Sequence, residues 1–230
     1  MKKVYSAVLL LVLTAYPALA QKYSNPRVTV FGGGSFQGGN RAFDLNAFGT
    51  TETDYSNAFR FGFRFGVDLP ENWGAEVTYG FSSSDLKVLD ATPPRPRRRF
   101  DIHQHQFMAN AIYNFAPRDS VWRPFATFGL GFERFSPTKD SVNRAAVDFL
   151  DGPTRISSDT KLAMNFGGGV ERRVNDRMGI RMDVRDNIAG MPRYGLPEAP
   201  LNPGGASYPV KGVIHDLEMV WGVVFHFDQP

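Results

Sequence analysis

The sequence contains no cysteine. That excludes a disulfide framework, a thiolate metal site and a lipidated cysteine at the start of an exported chain. Net charge is small, +3 over 230 residues, and falls to +1 without Lys2 and Lys3. Nothing in that balance calls for a nucleic-acid partner. No stretch of about 20 apolar residues is present, the length a membrane-spanning helix needs. No segment sustains a convincing amphipathic helical period either. Histidine is scarce, at positions 103, 105, 215 and 226 only. What the chain does have is 23 glycines and 20 phenylalanines, and many of them alternate.

The first residues read MKKVYSAVLLLVLTAYPALAQ. A basic start, a short apolar run over Ala7 to Ala15 and the small-x-small site Ala18-Leu19-Ala20 form the pattern of a cleaved secretory signal peptide. The expected division is a signal peptide over 1–20 and one domain over 21–230, beginning at Gln21.

The clearest internal pattern is FRFGFRFGVDL. Phe59, Phe61, Phe63, Phe65 and Val67 occupy every second position, with Arg60, Gly62, Arg64, Gly66 and Asp68 between them. A period of two predicts a strand with two unlike faces. The same alternation recurs from Trp73, around Phe107, from Trp122, from Leu162, from Met178 and from Leu217. It is blurred by glycines over Arg27 to Phe36. About eight strands are expected. Their connections alternate between tight turns (LPEN, APRDSV, VNDR) and long polar segments near 37–56, 85–101, 136–159 and 187–212. Long structureless loops are uncommon in a compact soluble domain. Short turns at one end and long loops at the other are what an up-and-down transmembrane β-barrel produces.

Volume decides which face is outside. A closed barrel of about eight strands has an interior just wide enough for its own side chains. It cannot hold several aromatic residues from every strand, so the compact face, rich in Gly, Ser, Thr and Asn, turns inward. The bulky face turns outward and needs lipid. A soluble two-sheet sandwich would also have apolar faces, but predicts neither the alternating connection lengths nor glycines on the polar face. Trp73, Tyr79, Phe81, Tyr113, Phe115, Trp122 and Phe227 lie toward strand ends, where aromatic girdles sit.

Parity then directs Arg60, Arg64, Arg123, Arg173, Arg181 and Arg185 into the lumen. Asp68, Glu76, Glu133, Glu171, Asp183, Asp216 and Glu218 face them. The signs nearly balance. Guanidinium–carboxylate pairs filling a narrow barrel are favoured over an ion-selective pore, because unpaired charge in a confined space is costly.

The export signal, the alternating strands, the inward Arg/Glu set and the final strand LEMVWGVVFHF resemble the small outer-membrane β-barrel proteins. That group includes the outer membrane protein A transmembrane domain and outer membrane protein X. The resemblance implies an outer-membrane location in a Gram-negative-type envelope. It also implies that the last strand, with Trp221, Val223, Phe225 and Phe227, is read by the barrel-assembly machinery. In this chain Asp228, Gln229 and Pro230 follow Phe227.

Some small outer-membrane barrels are lipid-modifying enzymes or proteases, which need a nucleophile or activated water beside an oriented histidine. DIHQHQ places Asp101, His103 and His105 on one face, with no serine two residues after either histidine. His103 and His105 could share a metal, but interfacial polar residues are the expected role. His215 and Asp216 are neighbours on opposite faces and cannot form a dyad. PPRPRRRF clusters Arg95, Arg97, Arg98 and Arg99 in the second long segment, where lipopolysaccharide phosphates are a suitable partner. The expected protein is a monomeric, cofactor-free, non-enzymatic barrel in contact with outer-membrane lipids, with a structural or surface-interaction role. The alternatives are a narrow channel and an outer-membrane lipid-modifying enzyme.

Overall fold

The computed structural model describes residues 25–38, 41–45, 49–89, 97–148, 156–196 and 212–227. The expected signal peptide, Gln21, Arg95 and most of the fourth long segment lie outside them. The period-two segments form strands β1 (Arg27–Gly38), β2 (Arg41–Leu45), β3 (Gly49–Tyr55), β4 (Ala58–Asp68) and β5 (Trp73–Leu89). After them come β6 (Arg97–Asn114), β7 (Trp122–Pro137), β8 (Asp159–Asn175), β9 (Met178–Gly190) and β10 (Val213–His226).

Eight of these close a ring in the order β1-β4-β5-β6-β7-β8-β9-β10, and β10 pairs with β1. All neighbours are antiparallel. β2 and β3 form a hairpin within the first long segment, and β3 extends the β4 ladder upward along β5 through Tyr55↔Leu86. Both described ends and the three short turns lie at one end of the barrel, and the long segments at the other. In the turn after β4, Glu71 and Asn72 take positive φ, 59° and 65°. They let Leu69 N–H reach the Trp73 carbonyl at 2.8 Å.

The register sets the barrel's dimensions. Paired residues run Arg134↔His105↔Phe81↔Phe61↔Gly32↔Trp221↔Met182↔Val170↔Pro124. The path leaves β7 at 134 and returns to it at 124, a shear of 134 − 124 = 10 residues. With ordinary strand spacing and rise, eight strands at that shear tilt by about 41° and lie about 8 Å from the axis. Such a tube has room for one layer of side chains per strand and little else.

Besides the first, the other three expected loops are also partly structured. Strands β5 and β6 run through the second long segment, so Arg97, Arg98 and Arg99 stand on a strand rather than in a loop. The third segment carries a helix, α1 (Lys139–Asp148), that the sequence reading missed. Its apolar content is too sparse for a periodic signal. It is held instead by Thr138, whose hydroxyl accepts from Ser141 N–H at 3.3 Å in capping fashion, and by the fully buried Ala145. β9 runs four residues into the fourth segment, to Gly190.

The outward surface changes character along the strands. On the lower strands bulky residues face out: Phe59, Phe61, Phe63, Phe65, Leu130, Leu162 and Trp221 are all exposed. Val67 is the exception, 3% exposed despite its parity. Toward the long-segment end the polarity inverts. On β5, Leu86 points in and Asp85 and Lys87 point out; on β6, Phe100 and Ile102 point in and Arg99, Asp101 and His103 out. On β7, Phe135 points in and Arg134 out. The lower part is apolar outside and polar inside, and the upper part is built like a soluble protein.

Candidate functional site

Polar side chains reach the lumen because their strands alternate, and glycines give them room. At the short-turn end Asp68 receives Arg27 at 2.5 Å and Arg123 at 3.2 Å, and His226 lies 3.0 Å from Glu171. In the middle Glu76 accepts from Arg181 Nη1 at 2.7 Å and from Arg185 Nη2 at 2.9 Å. Asp183 accepts from Arg64, from Arg181 Nη2 at 3.0 Å and from Arg185 at 3.4 Å. Above them Arg60 faces three carboxylates: Asp216 at 2.7 Å, Glu133 at 3.2 Å and Glu218 at 3.3 Å. Ser82 and Gln104 accept from the same guanidinium at 3.3 Å each. Glu218 also takes Arg64 at 3.0 Å, which joins the upper and middle layers into one network.

Arg60, Arg64, Arg181 and Arg185 are each 0–1% exposed. Two of them also stack on aromatic rings. Arg64 lies 4.1 Å over Phe31 and Arg181 4.1 Å over Phe125, a favourable cation–π arrangement. Each ring sits against a glycine. A Cβ on Gly62 would stand 2.8 Å from Phe31 Cζ, and one on Gly169 would stand 2.7 Å from Phe125 Cζ. Here the absence of a side chain makes space for the ring beneath the guanidinium. Gly62→Phe should therefore impair folding, since overpacking costs about 1–3 kcal/mol or more; loss of the heat-modifiable folded band on gels checks this.

The sequence-predicted lumen set is brought together with one difference. Arg173 is only half-buried, at the end of β8 beside a register shift between Arg173 and Asn175. Arg27 and His226 belong to the lumen and were absent from the predicted set; parity from Glu218 reaches His226, whereas glycines blur the alternation that begins at Arg27. Phe31, Phe125, Met108 and Ile112, all buried, also face inward. The lumen is more apolar than a reading of its compact polar residues suggests.

Above the ion-pair network lies an apolar cap. Tyr55, Leu86, Phe100, Ile102, Phe135 and Ile214 pack together, and Ala145 of α1 and Met191 and Tyr194 after β9 close over them. The Tyr55 and Tyr194 hydroxyls are 2.6 Å apart. Burial pushes the Tyr55 phenol well above its ordinary value, so it stays protonated and able to donate.

The histidine candidates separate. His105 Nδ1 is 2.9 Å from the Tyr79 hydroxyl, and the Phe81 ring packs on both His103 and His105, at 5.4 and 5.1 Å. Among the described residues no group of three or more His, Asp and Glu could hold a metal. His215 pairs with Asp186 on β9 at 2.8 Å, a cross-strand contact that chain adjacency could not reveal. Of the arginine cluster, Arg99 is exposed and 3.7 Å from Asp85.

Over residues 6–196 the sequence matches the family described as the outer membrane protein beta-barrel domain. The chain belongs to that family. Solved structures that share the fold include the following two. OprG from Pseudomonas aeruginosa is 16% identical, with a TM-score of 0.57 covering 90% of this chain and 98% of that one. Neisserial surface protein A is 16% identical, with a TM-score of 0.52 covering 89% and 99%. No match was found among curated proteins.

This outer-membrane barrel therefore crosses the Gram-negative outer membrane with its strands, and its exposed apolar band faces lipid. The short-turn end is periplasmic and the long segments are extracellular. The lower girdle is visible: Trp73 and Tyr113 touch edge to face at 5.1 Å, Tyr113 and Phe115 at 5.4 Å, and Arg172 lies 5.4 Å over the Trp122 ring. The expected assembly-strand residues Trp221, Val223, Phe225 and Phe227 all face lipid, and Phe227 N–H bonds the Pro26 carbonyl at 2.9 Å.

Proposed function

We propose that this protein is a sealed, non-enzymatic outer-membrane barrel that acts through its outer surface and its extracellular end rather than by passing solutes. The observation that carries this reading is the filled lumen. Six arginines (27, 60, 64, 123, 181 and 185) meet six carboxylates (68, 76, 133, 183, 216 and 218), and His226 meets a seventh, Glu171. Nearly balanced, mutually bonded charge supports a plug, because a conducting path needs charge that is solvated and free to meet ions. The apolar cap around Tyr55 and Tyr194 supports the same reading at the extracellular mouth. The histidines have structural partners, a carboxylate for His215 and His226 and a phenol for His105.

The test is a planar bilayer trace of the folded protein. The expected result is no stable conductance step across a range of voltages and salt. Discrete steps from the wild-type chain, abolished when the protein is unfolded, would overturn the proposal in favour of a narrow channel.

A further inference from the structure

The lipid-facing side carries an arrangement that the lumen does not explain. On adjacent strands Tyr79, Phe107 and Phe132 form a continuous aromatic shelf, with ring centroids 4.9 and 5.1 Å apart. The next outward row up the barrel is Phe81↔His105↔Arg134, where the surface turns polar. His103 stands above it, and Arg134 is exposed, its Nε donating to Ser136 Oγ at 3.3 Å. Three other cations toward this end have carboxylate partners: Arg99 with Asp85 at 3.7 Å, Arg144 with Asp101 at 2.9 Å, Lys161 with Asp159 at 3.0 Å. Among the described residues, Arg134 has no carboxylate partner.

The row sits at the outer lipid boundary. His105 pairs with Phe81, eight residues above the girdle residue Trp73, which is about 20 Å along the axis at the derived tilt. Register partners rise by only about 3 Å per strand at that tilt, so His105 and Arg134 stand about 23 and 26 Å above Trp73. The apolar band of such barrels is about 25 Å tall. The two side chains thus bracket the level of lipid headgroups, with the aromatic shelf at acyl-chain depth beneath them.

We propose that Arg134 and His105 bind a phosphate of lipopolysaccharide in the outer leaflet, while its acyl chains lie on the Tyr79–Phe107–Phe132 shelf. An unpaired guanidinium at a lipid boundary needs an anion, and its fork matches phosphate oxygens in bidentate fashion. With the Tyr79 hydroxyl donating to His105 Nδ1, the neutral imidazole keeps its proton on Nε2. That N–H is then available to a second phosphate oxygen, which makes Tyr79 a positioning residue. The site depends on the outward orientation of this face and not on whether the lumen conducts.

The experiment titrates detergent-folded, full-length mature protein with bisphosphorylated lipid A, with dephosphorylated lipid A and with phosphatidylglycerol. Heat-modifiable migration verifies that each variant is folded. Arg134→Gln should weaken binding of bisphosphorylated lipid A about tenfold, the loss of one charge-assisted contact. Arg134→Lys should retain part of the affinity, and Tyr79→Phe should lose less than Arg134→Gln. Binding of dephosphorylated lipid A should be unaffected by any of them. Unchanged affinity in folded Arg134→Gln would overturn the site. An equal loss in Arg99→Gln would show diffuse charge attraction and overturn it too. Equally tight, Arg134-dependent binding of phosphatidylglycerol would overturn the assignment to lipopolysaccharide.

Discussion

Asp183→Leu will destabilise the folded barrel by about 3–5 kcal/mol, the range for breaking a buried ion pair by removing one partner. Asp183 is 1% exposed and accepts from Arg64, Arg181 and Arg185 together. Without it those three guanidiniums share Glu76 and Glu218, and Glu218 is already engaged by Arg60. Leucine also brings no acceptor of its own. Urea unfolding in lipid vesicles measures the loss. The double variant Arg181→Met with Asp183→Leu should lose less than the sum of the two single changes, because it removes charges of both signs. A cost for Asp183→Leu below about 0.5 kcal/mol, the level of a neutral surface change, would mean that water already solvates the arginines. The sealed-lumen reading would then fail.

Phe63→Arg will be nearly as damaging, for the opposite reason. Phe63 faces lipid within the apolar band, packed against Phe65 at 5.5 Å and Tyr79 at 5.2 Å. An arginine near mid-bilayer on the outside of a barrel costs about 2–4 kcal/mol. Ser83→Arg supplies the control. Ser83 also faces outward, one row above Phe81, where the surface has turned polar. Near the interface the cost falls to about 0–1 kcal/mol. The folded fraction of each variant in vesicles of a single lipid composition checks both. Equal tolerance of the two arginines would place the boundary wrongly, and with it the level assigned to Arg134.

The lumen was legible because a strand offers only two faces. Once the phenylalanines at 59, 61, 63 and 65 are placed in lipid, Arg60 and Arg64 have nowhere to go but inward, and the same parity carries Glu76, Asp183 and Glu218. Parity cannot say which arginine meets which carboxylate. That depends on tilt and register, and the ten-residue shear brings Glu76 of β5 to Arg181 and Arg185 of β9 across the tube. Arg173 keeps its inward parity but sits half-buried at the rim, beside the irregular end of its strand.

The extracellular part was less legible. Asp85 to Leu89 and Arg97 to Asp101 look polar when read against the lipid-facing rule, and so pass for loop. They are strands in which the rule is reversed, with Leu86, Phe100 and Ile102 inside and charges outside. A signal for this does exist in the sequence: the alternation continues while its polarity changes sign, and the sign change marks where the strand leaves lipid. Helix α1 had no comparable signal, since its buried Ala145 acquires meaning only from the cap it joins.

The amino-acid sequence by itself determined that this chain is a barrel of about eight strands, that its bulky face meets lipid, and that arginines and carboxylates share the interior. Those conclusions rest on period, side-chain volume and charge, which are local properties. Only the tertiary structure decided the ion-pair partners, the apolar cluster above them and, among the described residues, the lack of a carboxylate beside Arg134, because each depends on residues distant in sequence meeting at one height of a tilted, closed sheet.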